Sequence, residues 1–200
     1  MKVLFATGNI AKVKRFKDRL AEYGIELISL KDIDKEIDVE ETGKTAAENA
    51  YIKAKAYYDL TGIPTMAMDD NLFIDNIPEN MQPGVFVRRV NGKRLNDLEM
   101  IEHYSNLAKE YGENGKLLSR WAYAICLIKE GKENIYTFNN DDFYILDTPS
   151  KIIHEGYPLD SISKGLDLKC YFVEVDTKSK KEDKKDTDKG AIEFLIKNLK

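Results

Sequence analysis

Residues 3–16 read VLFATGNIAKVKRF, and they constrain the fold more than any other stretch of the 200-residue chain. Val3 to Ala6 is a short apolar run rich in strand formers. Thr7-Gly8-Asn9 interrupts it, and Ile10, Val13, Phe16 and Leu20 then recur at helical spacing as far as Tyr23. A strand that hands over through a glycine turn to an amphipathic helix is the opening of an α/β protein. Ile25 to Leu30 returns to an extended pattern, and Lys31 to Lys44, acidic and without apolar periodicity, reads as a loop.

A second helix begins at Thr45-Ala-Ala-Glu48, where Thr at the N-cap and Glu three residues on have capping-box spacing. It runs to about Leu60, where Gly62 and Pro64 end it. Thr65–Met68 and Leu72–Ile74 look like two short strands on either side of Asp69-Asp70, and Pro78, Pro83 and Gly84 keep the next segment irregular. Asn96 to Tyr111 is amphipathic helix. Ser119–Lys129 and Asn134–Leu146 read as two long strands joined at Glu130-Gly131-Lys132, a hairpin signal. Leu168–Val175 reads as one more strand, Thr177–Asp188 as a charged run, and Ala191–Leu199 as a short closing helix. Strand-helix units early and a hairpin late predict a mixed sheet with flanking helices.

Composition narrows the function. Against 35 Asp and Glu stand 31 Lys and Arg, a net charge of −4, which argues against nucleic-acid binding through a broad basic face. The two cysteines, Cys126 and Cys170, have neither CxxC nor Cys/His spacing, so no disulfide framework or zinc site is expected and a reducing cytoplasm fits best. The apolar run of MKVLFATGN is too short for a signal peptide, and no segment reaches membrane-span length.

Several groups could carry chemistry. The turn Thr7-Gly8-Asn9 before a helix offers backbone N–H groups and the positive end of the helix dipole to an anion, with Lys12 one turn on. The sequence is neither GxGxxG nor G-K-[ST], so alone it reads as a plain strand-helix turn capped by Asn9. On the second helix Thr45, Asn49 and Lys53 form one stripe and Ala47, Ala50, Ala54 and Tyr58 another. A polar stripe usually means an exposed face, and Glu40-Glu41 an exposed acidic loop. Asp69-Asp70, with apolar flanks on both sides, reads equally as a site for a hard divalent cation and as a turn. His103 and His154 are isolated, no G-x-S-x-G elbow is present, Tyr57, Tyr58, Tyr123 and Tyr157 read as core, and Lys178–Lys189 reads as a mobile solvated loop.

Taken together, ATGNIAK at 6–12, EETGKTAAENAYIKAKA at 40–56, MDDNLFID at 68–75 and PGVFVRR at 83–89 resemble, in order and spacing, the motifs of the inosine triphosphate pyrophosphatase family, also called Ham1. The resemblance implies an elongated mixed sheet forming one domain over residues 1–200, with two lobes around a central nucleotide cleft. It also implies a homodimer and Mg²⁺-dependent hydrolysis of nucleoside triphosphates, aberrant purines such as ITP, dITP and XTP, to monophosphate and pyrophosphate. A nucleotide-binding protein of the same fold without turnover is the alternative. By position, Thr7, Gly8, Asn9 and Lys12 would hold phosphate, Lys53 would hold phosphate and serve catalysis, Glu41 and Asp70 would serve the metal, and Asp70 would be the general base. Asn71, Arg89, Tyr157, Asp188 and Lys189 fall at substrate-contacting positions.

The departures are concentrated where the family reads the base. Its D-D-S-G-L is Asp69-Asp70-Asn71-Leu72-Phe73 here, and its P-G-x-x-S-x-R has Val87 for the serine, with Arg89 retained. Its F-G-Y-D-P is Glu155-Gly156-Tyr157-Pro158-Leu159, so Asp160 or Tyr157 would have to substitute, and its S-H-R is Thr187-Asp188-Lys189. An acidic Asp188 or Glu155 would accept from an exocyclic amino group, so a weakened or redirected preference for inosine and xanthosine nucleotides is expected.

Overall fold

A computed structural model describes residues 1–33, 37–178 and 186–200. In chain order the regular elements are β1 (Lys2–Phe5), α1 (Ile10–Ala21), β2 (Glu26–Ser29), α2 (Ala46–Thr61), β3 (Thr65–Ile74), β4 (Arg89–Val90), β5 (Lys93–Arg94), α3 (Asp97–Tyr111) and β6 (Lys116–Lys129). There follow β7 (Lys132–Asn139), β8 (Phe143–Leu146), β9 (Ser163–Gly165), α4 (Phe172–Lys178) and α5 (Lys189–Leu199). The chain divides into two compact units, the first made of Met1–Asp70, Ala122–Phe138 and Asp186–Lys200, the second of Asn71–Trp121 and Asn139–Lys185.

In the first unit β2 and β3 flank β1, both parallel to it, with Val3 opposite Leu27 and Leu4 opposite Thr65. The apolar runs of β1 and β3 are buried on both faces, as strands of a covered parallel sheet must be. Val3, Phe5, Met66 and Met68 pack against Val13, Phe16 and Leu20 of α1 and Ile192, Leu195 and Leu199 of α5. The alternate residues Leu4, Ala6 and Ala67 pack against Ala46, Ala50, Ala54 and Tyr57 of α2. Helices α1 and α5 therefore cover one face and α2 the other. Phe5 and Phe16, both fully buried, meet edge to face at 5.9 Å, and each contributes about 2–3 kcal/mol of burial.

In the second unit β8 pairs antiparallel with the start of β6, Lys116 opposite Leu146, and β9 pairs antiparallel with β8. The sheet is thus mixed, as expected. Leu72, Ile74, Met100, Ile101, Tyr104, Leu117, Phe143 and Ile145 form this unit's core. Helix α3 starts on a reciprocal capping box, Asn96 Oδ1 accepting from the Glu99 N–H at 2.9 Å and Glu99 Oε2 accepting from the Asn96 N–H at 2.8 Å.

Four expectations need correction. The two short strands around the Asp pair are one strand, β3, running straight through it. The expected strand over Asn134–Leu146 is two strands, β7 and β8, separated by Asn140–Asp142. The Glu130-Gly131 turn is as expected, both residues lying at positive φ, 52° and 73°, the signature of a tight hairpin turn. Leu168–Val175 is not a strand: α4 begins at Phe172 and the strand lies earlier, at Ser163–Gly165, because a four-residue apolar run cannot distinguish a strand from one helical turn. Glu48 does not close a reciprocal box at α2: Thr45 Oγ1 accepts from its N–H at 3.2 Å, but its carboxylate accepts from the Lys44 N–H at 2.6 Å. The Lys31–Lys44 loop contains a 3-10 turn at Leu30–Asp32, its residues 34–36 lie outside the described residues, and so do residues 179–185 of the charged run.

Candidate active site

The site is assembled where β1 ends and β3 continues past it. Beyond Phe5 the chain turns at Thr7-Gly8-Asn9, and the turn is locked by side chains: Thr7 Oγ1 accepts from the Asn9 N–H at 3.1 Å, and Asn9 Oδ1 accepts from the Ala11 N–H at 2.9 Å, capping α1. Gly8 is exposed, its φ lies outside the left-handed region, and no atom of the described chain lies within 4 Å of where its Cβ would sit. The backbone there lies open. Lys12 follows one turn into α1.

Pleating explains how Asp69 and Asp70 coexist. Successive side chains of a strand point to opposite faces, so Asp70 falls on the Met66–Met68 side, toward α1, and Asp69 on the Ala67 side, toward α2. The side chain of Lys12 donates to Asp70. Lys53 Nζ, on α2, lies 3.3 Å from Asp69, 3.5 Å from Glu41 and 3.4 Å from the Met68 carbonyl. Each carboxylate thus has its own cation. The stripe Thr45, Asn49, Lys53 is accordingly not an exposed face: Asn49 is buried, and Lys53 is only 15% exposed. Asn49 Oδ1 accepts from the Gly43 N–H at 2.8 Å, and a Cβ at Gly43 would sit 2.6 Å from that oxygen, so the glycine of the ETGKT segment is required by close approach.

The two environments push the carboxyl groups in opposite directions. Burial raises Asp69, and although Lys53 opposes this, the neighbouring Asp70 charge adds to it. Burial also acts on Asp70, but the charge and hydrogen bond of Lys12, then the charges of Lys53 and Arg15, outweigh it and hold the group below the usual carboxylate range. Adjacent carboxyl groups tuned apart are suited to distinct proton roles, with Asp70 ionised at neutral pH.

The fit to a divalent cation can be tested on these atoms. Asp69 Oδ2 is buried without a hydrogen-bond partner among the described residues. The donors at hand are all carboxylate oxygens, the ligands of a hard ion. Among the described residues no three Asp, Glu, His or Cys side chains form a complete metal cluster. One or two carboxylates completed by phosphate oxygens of a substrate is the usual arrangement for Mg²⁺, so the residues fit it.

The remaining expected site residues divide. Asn71, Arg89 and Tyr157 belong to the second unit. Asn71 Oδ1 is buried without a hydrogen-bond partner among the described residues, Arg89 is exposed, and Tyr157 packs its ring 5.3 Å from His154, whose Nδ1 lies 3.2 Å from Asp160. His154 is therefore not isolated. Lys189 is solvent-exposed, 4.0 Å from Glu193. Asp188 stands at the start of α5 and both its oxygens are engaged by Arg15, Nε at 2.9 Å and Nη2 at 2.5 Å. The acid expected to accept from a nucleobase amino group thus has Arg15 as its partner in this structure. Arg15 and Asp69 are residues that the motif reading left without a role. The signals were present: Arg15 lies three positions after Lys12, on the same side of α1, and strand parity sends Asp69 to α2.

An open glycine turn at a helix N-terminus, at the carboxyl end of parallel strands, with cations beside paired carboxylates, is a place in an α/β protein where an anion can be held. The chain belongs to the Ham1 family, whose model matches residues 3–153. It is 44% identical to the dITP/XTP pyrophosphatase of Aquifex aeolicus over 89 residues, 44% of this chain and 42% of that protein. It is 33% identical to the dITP/XTP pyrophosphatase of Bacillus licheniformis over 159 residues, 78% of each. Against the Aquifex relative and similar ones the match spans less than half of their length. Among solved structures the fold is similar to the Staphylococcus aureus Ham1 protein (TM-score 0.73, 22% identity, 100% of this chain and 98% of that one). It is similar also to a Coxiella burnetii HAM1 protein (TM-score 0.71, 24% identity, 100% and 96%).

Proposed function

We propose that the chain is a nucleoside triphosphate pyrophosphohydrolase that releases pyrophosphate from aberrant purine nucleotides of the dITP and XTP kind. The observation that carries this reading is the split carboxylate pair: Asp69 held by Lys53 and Asp70 by Lys12, beside the open turn at Gly8. A triphosphate presents several negative charges to one side of a site, and two lysines with a helix N-terminus answer them. The Aquifex aeolicus and Bacillus licheniformis relatives to which the chain is similar are dITP/XTP pyrophosphatases.

In this reading Thr7, Gly8, Asn9 and Lys12 hold phosphate oxygens, Lys53 neutralises charge from the opposite face of the sheet, and the ionised Asp70 accepts the proton of the attacking water. Asp70 and Glu41 would hold Mg²⁺ as the metal, Asp69 lying with Glu41 at Lys53. When bound the ion neutralises charge developing on the phosphoryl group. The protein acts as a homodimer in the cytoplasm, with Lys189 of the first unit, and Asn71, Arg89 and Tyr157 of the second, as further candidates for nucleotide contact.

The test is incubation with Mg²⁺ and a panel of inosine, xanthosine and ordinary nucleoside triphosphates, with pyrophosphate and orthophosphate assayed separately. Pyrophosphate from dITP or XTP, lost in Asp70→Asn, supports the proposal. No pyrophosphate from any nucleotide, with binding retained in calorimetry, would replace it by a nucleotide-binding protein without turnover.

A further inference from the structure

The pair between Arg15 and Asp188 stands apart. It joins α1 to the start of α5, residues 173 positions apart in the chain. It is a two-point contact, Nε and Nη2 of one guanidinium to the two oxygens of one carboxylate, the geometry that fixes an arginine in a plane. Both side chains are largely buried, 19% and 14% exposed. The guanidinium carbon lies 5.4 Å from the centre of the Tyr123 ring and 5.6 Å from that of Phe16. Arg15 is therefore held by a carboxylate at one edge and by aromatic rings nearby, and its long stem has little rotamer freedom left.

A second pair one turn along α1 has a different character. Arg19 donates to both oxygens of Asp186 at 2.9 and 2.7 Å, but those side chains are 35% and 48% exposed. Tying α1 to α5 already falls to this outer pair. Burying another arginine and carboxylate costs desolvation that a merely structural tie does not need. Arg15 lies three positions after Lys12 on α1, on the same side of the helix as the lysine that donates to Asp70, and side chains of a helix lean back toward its N-terminus.

We propose that Arg15 is a further ligand-binding residue of the site, donating to an oxygen acceptor of the nucleotide, and that Asp188 is the positioning residue that holds it in place. The inference rests on the nucleotide reading of the site but not on turnover. An oxygen acceptor occurs both in the phosphate chain and at a carbonyl of the base, and a guanidinium fork serves either. Asp188 thus acts through Arg15 and does not touch the ligand. Lysine at position 15 keeps the charge but loses the two-point contact and so restores only part of the binding.

The experiment measures dissociation constants by calorimetry for the full chain, in the absence of turnover, with three probes: inorganic tripolyphosphate, inosine triphosphate and adenosine triphosphate. Arg15→Gln is expected to weaken at least one probe by tenfold or more, the scale of a hydrogen bond to a charged group. Equal loss for all three places the acceptor on phosphate, and loss confined to inosine triphosphate places it on the base carbonyl. Asp188→Asn should weaken the same probe, Asp188→Glu should recover part of it, and Asp188→Asn should have no further effect in the Arg15→Gln background. Thermal melting of each variant separates this from a folding defect. Unchanged affinity for all three probes in folded Arg15→Gln, or loss in Asp188→Asn undiminished by removing Arg15, would overturn the inference. A wild-type chain that binds these probes but releases no pyrophosphate overturns the hydrolase reading and leaves this one standing.

Discussion

Asp69 and Asp70 are neighbours in sequence but not in environment, and the lysine that each meets makes the difference. Removing one partner of a largely buried ion pair leaves a charge without compensation. Lys53→Met is therefore expected to lower unfolding free energy by about 2 kcal/mol, read by urea denaturation. The double variant Lys53→Met with Asp69→Asn should recover most of that loss. If the single and double variants are equally unstable, Lys53 is held by something other than the Asp69 charge. At Gly43 the argument is steric: a Cβ meets Asn49 Oδ1 at 2.6 Å and the Asn49 backbone nitrogen at 2.9 Å. Gly43→Ala should cost roughly 1–3 kcal/mol through the forced displacement of Asn49, measurable in the same denaturation series. The glycine could be read in the sequence, but the residue it accommodates, six positions on in the next helix, could not.

At the scale of elements, α5 depends on α1. Its start is tied by Arg19 to Asp186, whose carboxyl the Arg19 hydrogen bond holds below its ordinary value of 3.8. A carboxyl lowered on folding contributes stability that is present above its unfolded value and is lost as pH falls through its folded value. The melting temperature of the wild type should therefore exceed that of Asp186→Asn at pH 7, and the difference should close as pH is taken below 3.8. A difference that persists unchanged in acid would show that the Asp186 charge is not what holds the helix. The β6–β7 turn is a local matter by contrast. Gly131 sits at φ 73° with open space around it, so Gly131→Ala should cost about 1 kcal/mol through backbone strain alone, without altering nucleotide binding.

At the scale of the molecule, a homodimer is part of the proposed function, so sedimentation of the full chain at micromolar concentration should return twice the chain mass. A monomer that still hydrolyses dITP would remove the dimer from the proposal and leave the chemistry intact.

The sequence by itself determined the strand-turn-helix opening, the capped α2, the positive-φ hairpin turn and the family, because these rest on local periodicity, capping chemistry and short motifs with fixed spacing. It also singled out Lys12, Lys53 and the aspartate pair. Only the tertiary structure decided how they are paired. Whether Asp69-Asp70 breaks a strand or continues it depends on cations from two helices, Lys53 16 positions from Asp69 and Lys12 58 positions from Asp70, which no local window contains. The fate of Asp188 was decided the same way: as a bare acid it is an acceptor, and only Arg15, brought from the other end of the chain by the packing of α5 on α1, turns it into a support for a donor.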